Sequence, residues 1–128
     1  MPADPDGGPT GTPVFRQDAL MDLHSDTDAL SVEVRTWPAQ PPSLGNCSVQ
    51  LVVTSERSDA PVPDLSVDVL PWMPAMGHGT SRVPLVSETA PGVYQLDNVF
   101  LFMPGTWQVR TTFSGAIDDH VTPTFELH

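Results

Sequence analysis

Lysine is absent from this chain of 128 residues, which balances five arginines against sixteen Asp and Glu residues and carries a formal net charge of −11. Carboxylates in such excess are repelled by the phosphate backbone of nucleic acids and by anionic membrane surfaces. We therefore expect neither of these as a partner. The acidic excess does not by itself indicate any particular binding site.

Cysteine is nearly absent as well, since Cys47 is the only one. One thiol forms no intrachain disulfide, no zinc ribbon and no Cys-x-x-Cys redox pair. Cys47 alternates in phase with Val49, Leu51 and Val53, so we interpret it as a small buried hydrophobic residue. No His or Met lies near it in the sequence, and a blue-copper electron-transfer site, which needs Cys, His and Met close together, is not predicted.

Long apolar runs are also missing, so no segment is predicted to span a bilayer. No basic and apolar leader precedes the chain either. Residues 1–13 are rich in Pro and Gly and are expected to form a flexible tail of the kind that follows a secretion or lipoprotein leader. Residues 14–128 are expected to form one domain. We expect this chain to derive from a longer precursor with a leader, and with it a lipid anchor, that has been removed.

The rest of the chain is dominated by alternation of apolar and polar residues with a period of two. Segments with this pattern or a β-rich composition are 30–37, 47–54, 65–70, 82–86, 93–102, 107–113 and 117–127. Pro71 is expected to end the third of them, and Asp97–Asn98 to mark a kink or bulge in the fifth. Short strands separated by turn signals, without any helical period, predict an all-β fold, an immunoglobulin-like Greek-key β-sandwich of about seven strands.

Two loops carry the most distinctive chemistry. Residues 72–79 read WMPAMGHG, and residues 102–107 read FMPGTW. Thioether sulfur is soft and binds Cu(I) far better than it binds hard cations, and a neutral imidazole adds a basic ligand. Proline and glycine allow the sharp reversals that bring such side chains together. The prediction is a Cu(I) site formed by Met73, Met76 and His78, with Met103 as the fourth ligand.

Other residues are weaker candidates. Trp72, Trp107 and Tyr94 are candidates for shielding the ion from water, and His24 is a candidate additional metal ligand that approaches the site from the first segment. His120 follows Asp118 and Asp119 and is a candidate ligand of a hard-metal patch. A purely structural interpretation stays open beside the metal site. Methionine commonly fills gaps in a core, and a lone histidine is usually a hydrogen-bonded structural residue.

The order of these motifs is itself distinctive. MP-x-MGHG at 73–79, then Pro84, then GVY at 92–94 and FMPG-x-W at 102–107, resembles the YtkA-like domain family. The resemblance implies a small extracytoplasmic β-sandwich, often tethered as a lipoprotein, with a connection to copper handling or oxidase assembly. Met73, Met76 and His78 are also similar to the methionine-rich Cu(I) loop of CopC-type periplasmic copper carriers. This chain lacks the N-terminal histidine on which the Cu(II) site of those carriers is built.

Enzyme signatures are missing from the sequence: there is no Gly-x-Ser-x-Gly, no phosphate-binding loop and no His-Glu-x-x-His. Nothing singles out a pair of carboxylates, and we do not expect an enzyme. Two hypotheses remain. The first is an extracytoplasmic, periplasmic Cu(I)-binding protein for copper delivery or homeostasis, with a cuproenzyme or copper-transport protein as partner. The alternative is an immunoglobulin-like interaction module without metal, in which the two loops form a rigid docking surface.

Overall fold

The computed structural model describes residues 12–128, which form ten β-strands. In chain order the strands are β1 Met21–His24, β2 Leu30–Trp37, β3 Gly45–Ser55, β4 Ser66–Met73, β5 His78–Gly79, β6 Leu85–Ala90, β7 Val93–Leu101, β8 Gly105–Ser114, β9 Asp119–Val121 and β10 Thr124–Leu127. No helix among these residues is long and apolar enough to cross a membrane. The predicted tail, residues 1–13, lies outside the described residues except for its last two positions, and it stays a prediction.

The strands form two antiparallel sheets. One has the order β1-β2-β3-β7-β6, and the other has the order β10-β8-β4-β5, with β9 also paired to β8. The chain crosses between the sheets from β3 to β4, from β5 to β6 and from β7 to β8. Because β3 pairs with β7 while β4 pairs with β8, these crossings interlock the two sheets. The predicted all-β sandwich is confirmed.

The alternation seen in the sequence gives each sheet one buried face. In β2 every second side chain is buried, and the residues between them are only partly covered. The fully buried side chains at the centre of the sandwich include Leu30, Val32, Val34, Val49, Leu51, Val53, Leu96, Leu101, Trp107, Val109 and Phe113. Burying one such aliphatic or aromatic side chain contributes about 1.5–3 kcal/mol. This shared interior is what holds the two sheets together.

Two strand boundaries differ from the predictions. Strand β4 does not end at Pro71 but continues to Met73, because Met73 pairs with His78 of β5 while Pro71 still lies opposite Val109 of β8. The predicted strand at 82–86 begins only at Leu85 and extends to Ala90. The structure has ten strands where about seven were predicted. The short strands β1 and β5 are additional, and the last predicted strand is split into β9 and β10.

The bulge predicted at Asp97–Asn98 is confirmed. The pairing of β3 with β7 shifts register between Cys47 and Val49, and Asn98 has a φ of 62°. Cys47 is buried on the inner face, as predicted, and burial raises the pKa of its thiol to about 12. A thiol in this environment is an inert core group, since the thiolate is the reactive form.

Because successive long strands run in opposite directions, the connections between them alternate between two ends of the sandwich. The end that we call the loop pole carries segments 38–44, 74–77 and 102–104. The end that we call the opposite pole carries segments 25–29, 56–65 and 115–118. The register confirms this division, since Gly45 lies opposite Leu101 near the loop pole and Ser66 lies opposite Ser114 near the other. Both predicted Met/His loops therefore share one pole.

Candidate functional site

The first loop is the tip of a short hairpin between β4 and β5. Met73 and His78 are direct cross-strand partners, so their side chains project from the same face of the hairpin. The turn closes where the N–H of Gly77 donates to the carbonyl oxygen of Met73 at 2.9 Å, and Gly77 has a φ of 66°. Met76 lies on this turn with 54% of its surface exposed.

The second loop contacts the first at two points. Gly105 has a φ of 132°, and a Cβ atom placed on it would lie 2.7 Å from the terminal methyl carbon of Met73. Gly105 thus leaves the space that the Met73 side chain occupies. The His78 ring stacks on Phe102, with centroids 6.0 Å apart and planes inclined by 19°. The structure therefore brings Met73 and His78 against segment 102–105.

Met103 is held at this junction by a buried tryptophan. The indole Nε1–H of Trp107 donates to the carbonyl oxygen of Met103 at 3.0 Å, and the half-buried Met103 packs against the core. Trp107 is fully buried and meets Phe102 edge-to-face at 5.5 Å. Trp107 thus contacts the second loop at Phe102 and Met103. Trp72 is half-buried, with the guanidinium of Arg110 5.2 Å from its ring centroid.

A hydrogen bond sets the tautomer of His78. Its Nδ1 lies 3.0 Å from the carbonyl oxygen of Gly79. A carbonyl oxygen only accepts, so the neutral ring carries its proton on Nδ1 and its lone pair on Nε2. Backbone carbonyls fix metal-binding histidines in the same way. The Nε2 atom of His78 is therefore the ring nitrogen with ligand character.

The loops offer sulfur and imidazole but no carboxylate. Segments 69–81 and 98–109 contain no Asp or Glu, although the chain as a whole is strongly acidic. Among residues 12–128, no three His, Cys, Asp or Glu side chains come together as a possible metal site. A metal ion bound at the loop pole would depend on thioether sulfur. The two methionines of the first loop differ, because Met73 is only 2% exposed whereas Met76 faces solvent.

The YtkA-like family model matches residues 26–112, which are 87 of the 128 residues and include both loops. This chain belongs to the YtkA-like family. No curated protein and no solved structure matches it. The family match begins just before β2 and ends within β8, so it covers the interlocked strands and the loop pole but not β9 and β10.

Three predicted residues of this YtkA-like protein lie away from the loops. Nδ1 of His24 contacts Oε1 of Glu56 at 2.8 Å, and Nδ1 of His120 lies 3.2 Å from the Thr112 hydroxyl. Both histidines are at the opposite pole, so His24 does not approach the loops. Among residues 12–128, His120 belongs to no group of three His, Cys, Asp or Glu side chains that could hold a metal ion, so the predicted hard-metal patch is not formed. A strand's alternation tells which face a residue lies on but not which end of the sandwich it reaches.

Tyr94 is also at the opposite pole and does not shield the loops. It lies near the start of β7, whose far end leads to Met103. Its hydroxyl donates to the carbonyl oxygen of Val62 at 2.8 Å and accepts from the N–H of Leu65 at 3.0 Å. These bonds satisfy two backbone groups of the long connection between β3 and β4. The role of Tyr94 is to fasten that connection.

An aromatic row beside the loops was not predicted. The Phe100 and Phe102 rings stack with centroids 5.6 Å apart, and the guanidinium carbon of Arg82 lies 4.0 Å from the Phe100 centroid. Phe102 is 41% exposed. The spacing of the two phenylalanines could have predicted this row, because residues two apart in a strand share a face. The row extends an apolar surface from His78 along the outside of the pole.

Asp119, the central group of the opposite pole, was likewise missed. Its carboxylate accepts from the N–H and the hydroxyl of Thr27 at 3.2 and 2.5 Å and from the N–H of His120 at 2.9 Å. Burial by itself raises the pKa of Asp119, but these bonds and one from Ser25 outweigh it and lower the pKa from 3.8 to about 2. Asp119 thus clamps the turn before β2 against β9.

Proposed function

We propose that this YtkA-like protein is an extracytoplasmic Cu(I)-binding protein that serves copper delivery or copper homeostasis. Its site consists of Met73, Met76, His78 and Met103. One observation carries the proposal: the two Met-containing loops, distant in sequence, meet at one pole, with the Met73 side chain against Gly105 and the His78 ring against Phe102.

The donor set favours Cu(I) over other common ions. Thioether sulfur is a soft ligand, and the nearby loop segments supply no carboxylate for Zn(II), Ca(II) or Mg(II). The Nε2 lone pair of His78 adds a nitrogen ligand whose ring orientation is fixed by the bond to Gly79. Thioethers need no deprotonation before they bind, so His78 is the member of the set that competes with protons.

Differences in burial suggest an order of events. Met76 is exposed on the hairpin turn, so it meets an incoming ion first, together with the partly exposed His78. Met73 lies in the core, and the half-buried Met103 packs against the core. These two complete the coordination from the inside. Delivery then proceeds by ligand exchange at the exposed sulfur, where a cuproenzyme or copper-transport protein replaces Met76 first.

The location belongs to the same proposal. The resemblance to this family implies a protein that is tethered outside the cytoplasm by a lipoprotein leader. A periplasmic, membrane-tethered position suits a protein that passes Cu(I) to cuproenzymes during their assembly. The absence of paired thiols fits this setting, because thioether ligands are not lost to disulfide formation.

The test is a Cu(I) competition against a chromogenic chelator under reducing, oxygen-free conditions. We expect the wild-type protein to withdraw one equivalent of Cu(I), and a double variant, Met76→Leu with His78→Ala, to withdraw at least tenfold less. Met73→Leu keeps the core volume, at a cost below about 1.5 kcal/mol. We expect it to lose copper affinity without unfolding.

Two matched controls lie outside the loop pole. Met21→Leu removes a thioether from β1, and His120→Ala removes an imidazole from the opposite pole. Both proteins are expected to compete as the wild type does. A wild-type protein that takes no copper from the chelator contradicts the proposal. If the control variants lose as much copper uptake as the double variant, the site does not lie at the loop pole. A tight stoichiometric zinc site would contradict the soft-ligand argument.

The alternative function is that of a docking module without metal. The exposure of Met76 (54%) and Phe102 (41%), both at the loop pole, favours it, because exposed apolar side chains at one end of a fold are typical of interaction surfaces. In that case the wild-type protein takes up no Cu(I). A partner protein should then bind Met76→Ser or Phe102→Ser more weakly than it binds the wild type.

A further inference from the structure

One side of the sandwich is left open where the two sheets end. Strand β5 pairs only with Trp72 and Met73 of β4, so within residues 12–128 the stretch Ser66–Leu70 has a sheet partner on one side alone, in β8. Strand β6 ends the other sheet and pairs only with β7. No ladder joins β4 to β6 among the described strands. Two unpaired strand edges therefore face the same seam, which we call the open seam.

The open seam contains an apolar groove of about 370 Å³. Its aliphatic lining consists of Val67, Val69, Leu70, Val83, Pro84 and Val86. Val83 is 74% exposed and Val86 is 38% exposed. The inward-facing valines of β4 alternate with outward-facing residues. The side chains of a strand added beside β4 would alternate with the same period. The groove lies where a further strand would pair with β4. Strand β5 occupies this position for only two residues.

Negative charge lies along one end of the groove. Asp68 lines the groove, and Asp64 and Glu88 line an adjoining hollow toward the opposite pole. The Glu88 carboxylate accepts from the N–H groups of Asp64 and Gly92 at 3.1 and 3.0 Å, so it is held in place. No lysine occurs anywhere in the chain, and the one cation in the lining, Arg110, is bonded to Gln108.

We propose that the open seam binds an extended segment of a partner protein, which adds as a strand to the free edge of β4 at Ser66–Leu70. Strand addition uses the unpaired backbone groups for affinity and alternate side-chain pockets for specificity. The segment has aliphatic residues at alternate positions, which fill the space between Val67, Val69 and Val86. It carries a basic residue at the end that reaches Asp64, Asp68 and Glu88.

Charge argues against a second copy of this chain as the occupant. Each copy has a formal net charge of −11, and both free edges carry a carboxylate, at Asp68 and Glu88. Two such edges placed side by side would repel each other, which is how natural edge strands avoid self-association. The same carboxylates attract a basic segment. The proposal is independent of copper binding, because the seam lies along the side of the sandwich and not on the Met/His loops.

The test uses two synthetic capped heptapeptides with valine at alternate positions and threonine between them, one ending in lysine and one in glutamate. Each is titrated into the ¹⁵N-labelled full chain up to about 2 mM, a range that detects weak strand addition. We expect saturable amide shifts confined to Ser66–Leu70 and Leu85–Glu88. The lysine peptide should bind at least tenfold more tightly than the glutamate peptide.

Two neighbouring variants on β6 provide the matched pair. Val86→Gln places a polar side chain in the groove and should weaken the lysine peptide at least tenfold. Leu85→Gln changes the other face of the same strand, opposite Asp97, and should leave binding unchanged. Thermal unfolding of both variants checks that each is folded. Amide shifts outside the seam, equal affinity for both peptides, or equal losses of affinity in the two variants would overturn the proposal. So would sedimentation runs in which the chain self-associates through the seam.

Discussion

Replacing Asp119 by asparagine tests how the opposite pole is held together. The carboxylate is 2% exposed and accepts hydrogen bonds from Thr27 and His120. Its pKa falls from 3.8 to about 2 on folding. A difference of this size corresponds to about 2 kcal/mol of stability at neutral pH. Asparagine keeps the shape of the side chain but not the charge, so Asp119→Asn should lose about that amount.

The sign of the pH dependence follows from the direction of the shift. A carboxyl group with a lowered pKa in the folded state stabilises the fold above its unfolded pKa of 3.8, and this contribution disappears as the pH falls through about 2. The difference between the wild type and Asp119→Asn should therefore be constant between pH 5 and 7. It should shrink below about pH 4, fall to about 0.4 kcal/mol near pH 2 and vanish at still lower pH.

Urea unfolding at a series of pH values measures this difference. At neutral pH a loss of about 2 kcal/mol lowers the urea midpoint by about 1 M. Asp118→Asn is the matched control, because Asp118 is exposed and accepts one hydrogen bond, from the N–H of Gly115. It should cost about 0.5 kcal/mol or less. A loss for Asp119→Asn that does not change with pH would refute the charge-based reasoning. Copper uptake should be unaffected, because the clamp lies at the other pole.

Three further outcomes follow from single side chains. Gly105→Ala should lower the free energy of unfolding by about 2 kcal/mol or more, because its φ of 132° is strained for alanine and its Cβ would meet Met73; thermal unfolding measures the loss. Tyr94→Phe should cost about 2 kcal/mol by leaving two backbone groups of segment 62–65 unpaired, with copper affinity unchanged in the chelator assay. Cys47, whose pKa burial raises to about 12, should not react with a disulfide reagent at pH 8 until urea unfolds the protein, and absorbance of the released thiol follows the reaction.

The strands were predictable because burial in a sandwich imposes a period of two on the sequence. Segment 30–37 shows the pattern most clearly, and it forms β2 with alternating burial. The short strands were less predictable. Strand β5 contains only His78 and Gly79, and two residues are too few to show any period. Strand β4 passes through Pro71 because its pairing with β8 and β5 outweighs the local preference of proline to end a strand.

The meeting of the two loops was predictable from the order of the strands. Antiparallel strands reverse direction one after another, so the connections after the third and fifth predicted strands fall at the same end. The same count places His24, His120 and Tyr94 at the other end. The assignment of His24 and Tyr94 to the loops failed because residue type was used without strand direction. The open seam could not have been inferred in this way, since it arises from the shortness of β5.

The sequence by itself determined most of the strands, their buried faces and the family, because each depends on residues close together in the chain: alternation within a strand, glycine and proline at turns, and the two Met-containing motifs. Tertiary structure alone decided that Met73 lies in the core while Met76 faces solvent, that Gly105 makes room for Met73, and that Asp119 clamps a turn 92 residues away. These features depend on which strands become neighbours. That choice minimises the free energy of the whole packed sandwich and is not encoded in any single segment.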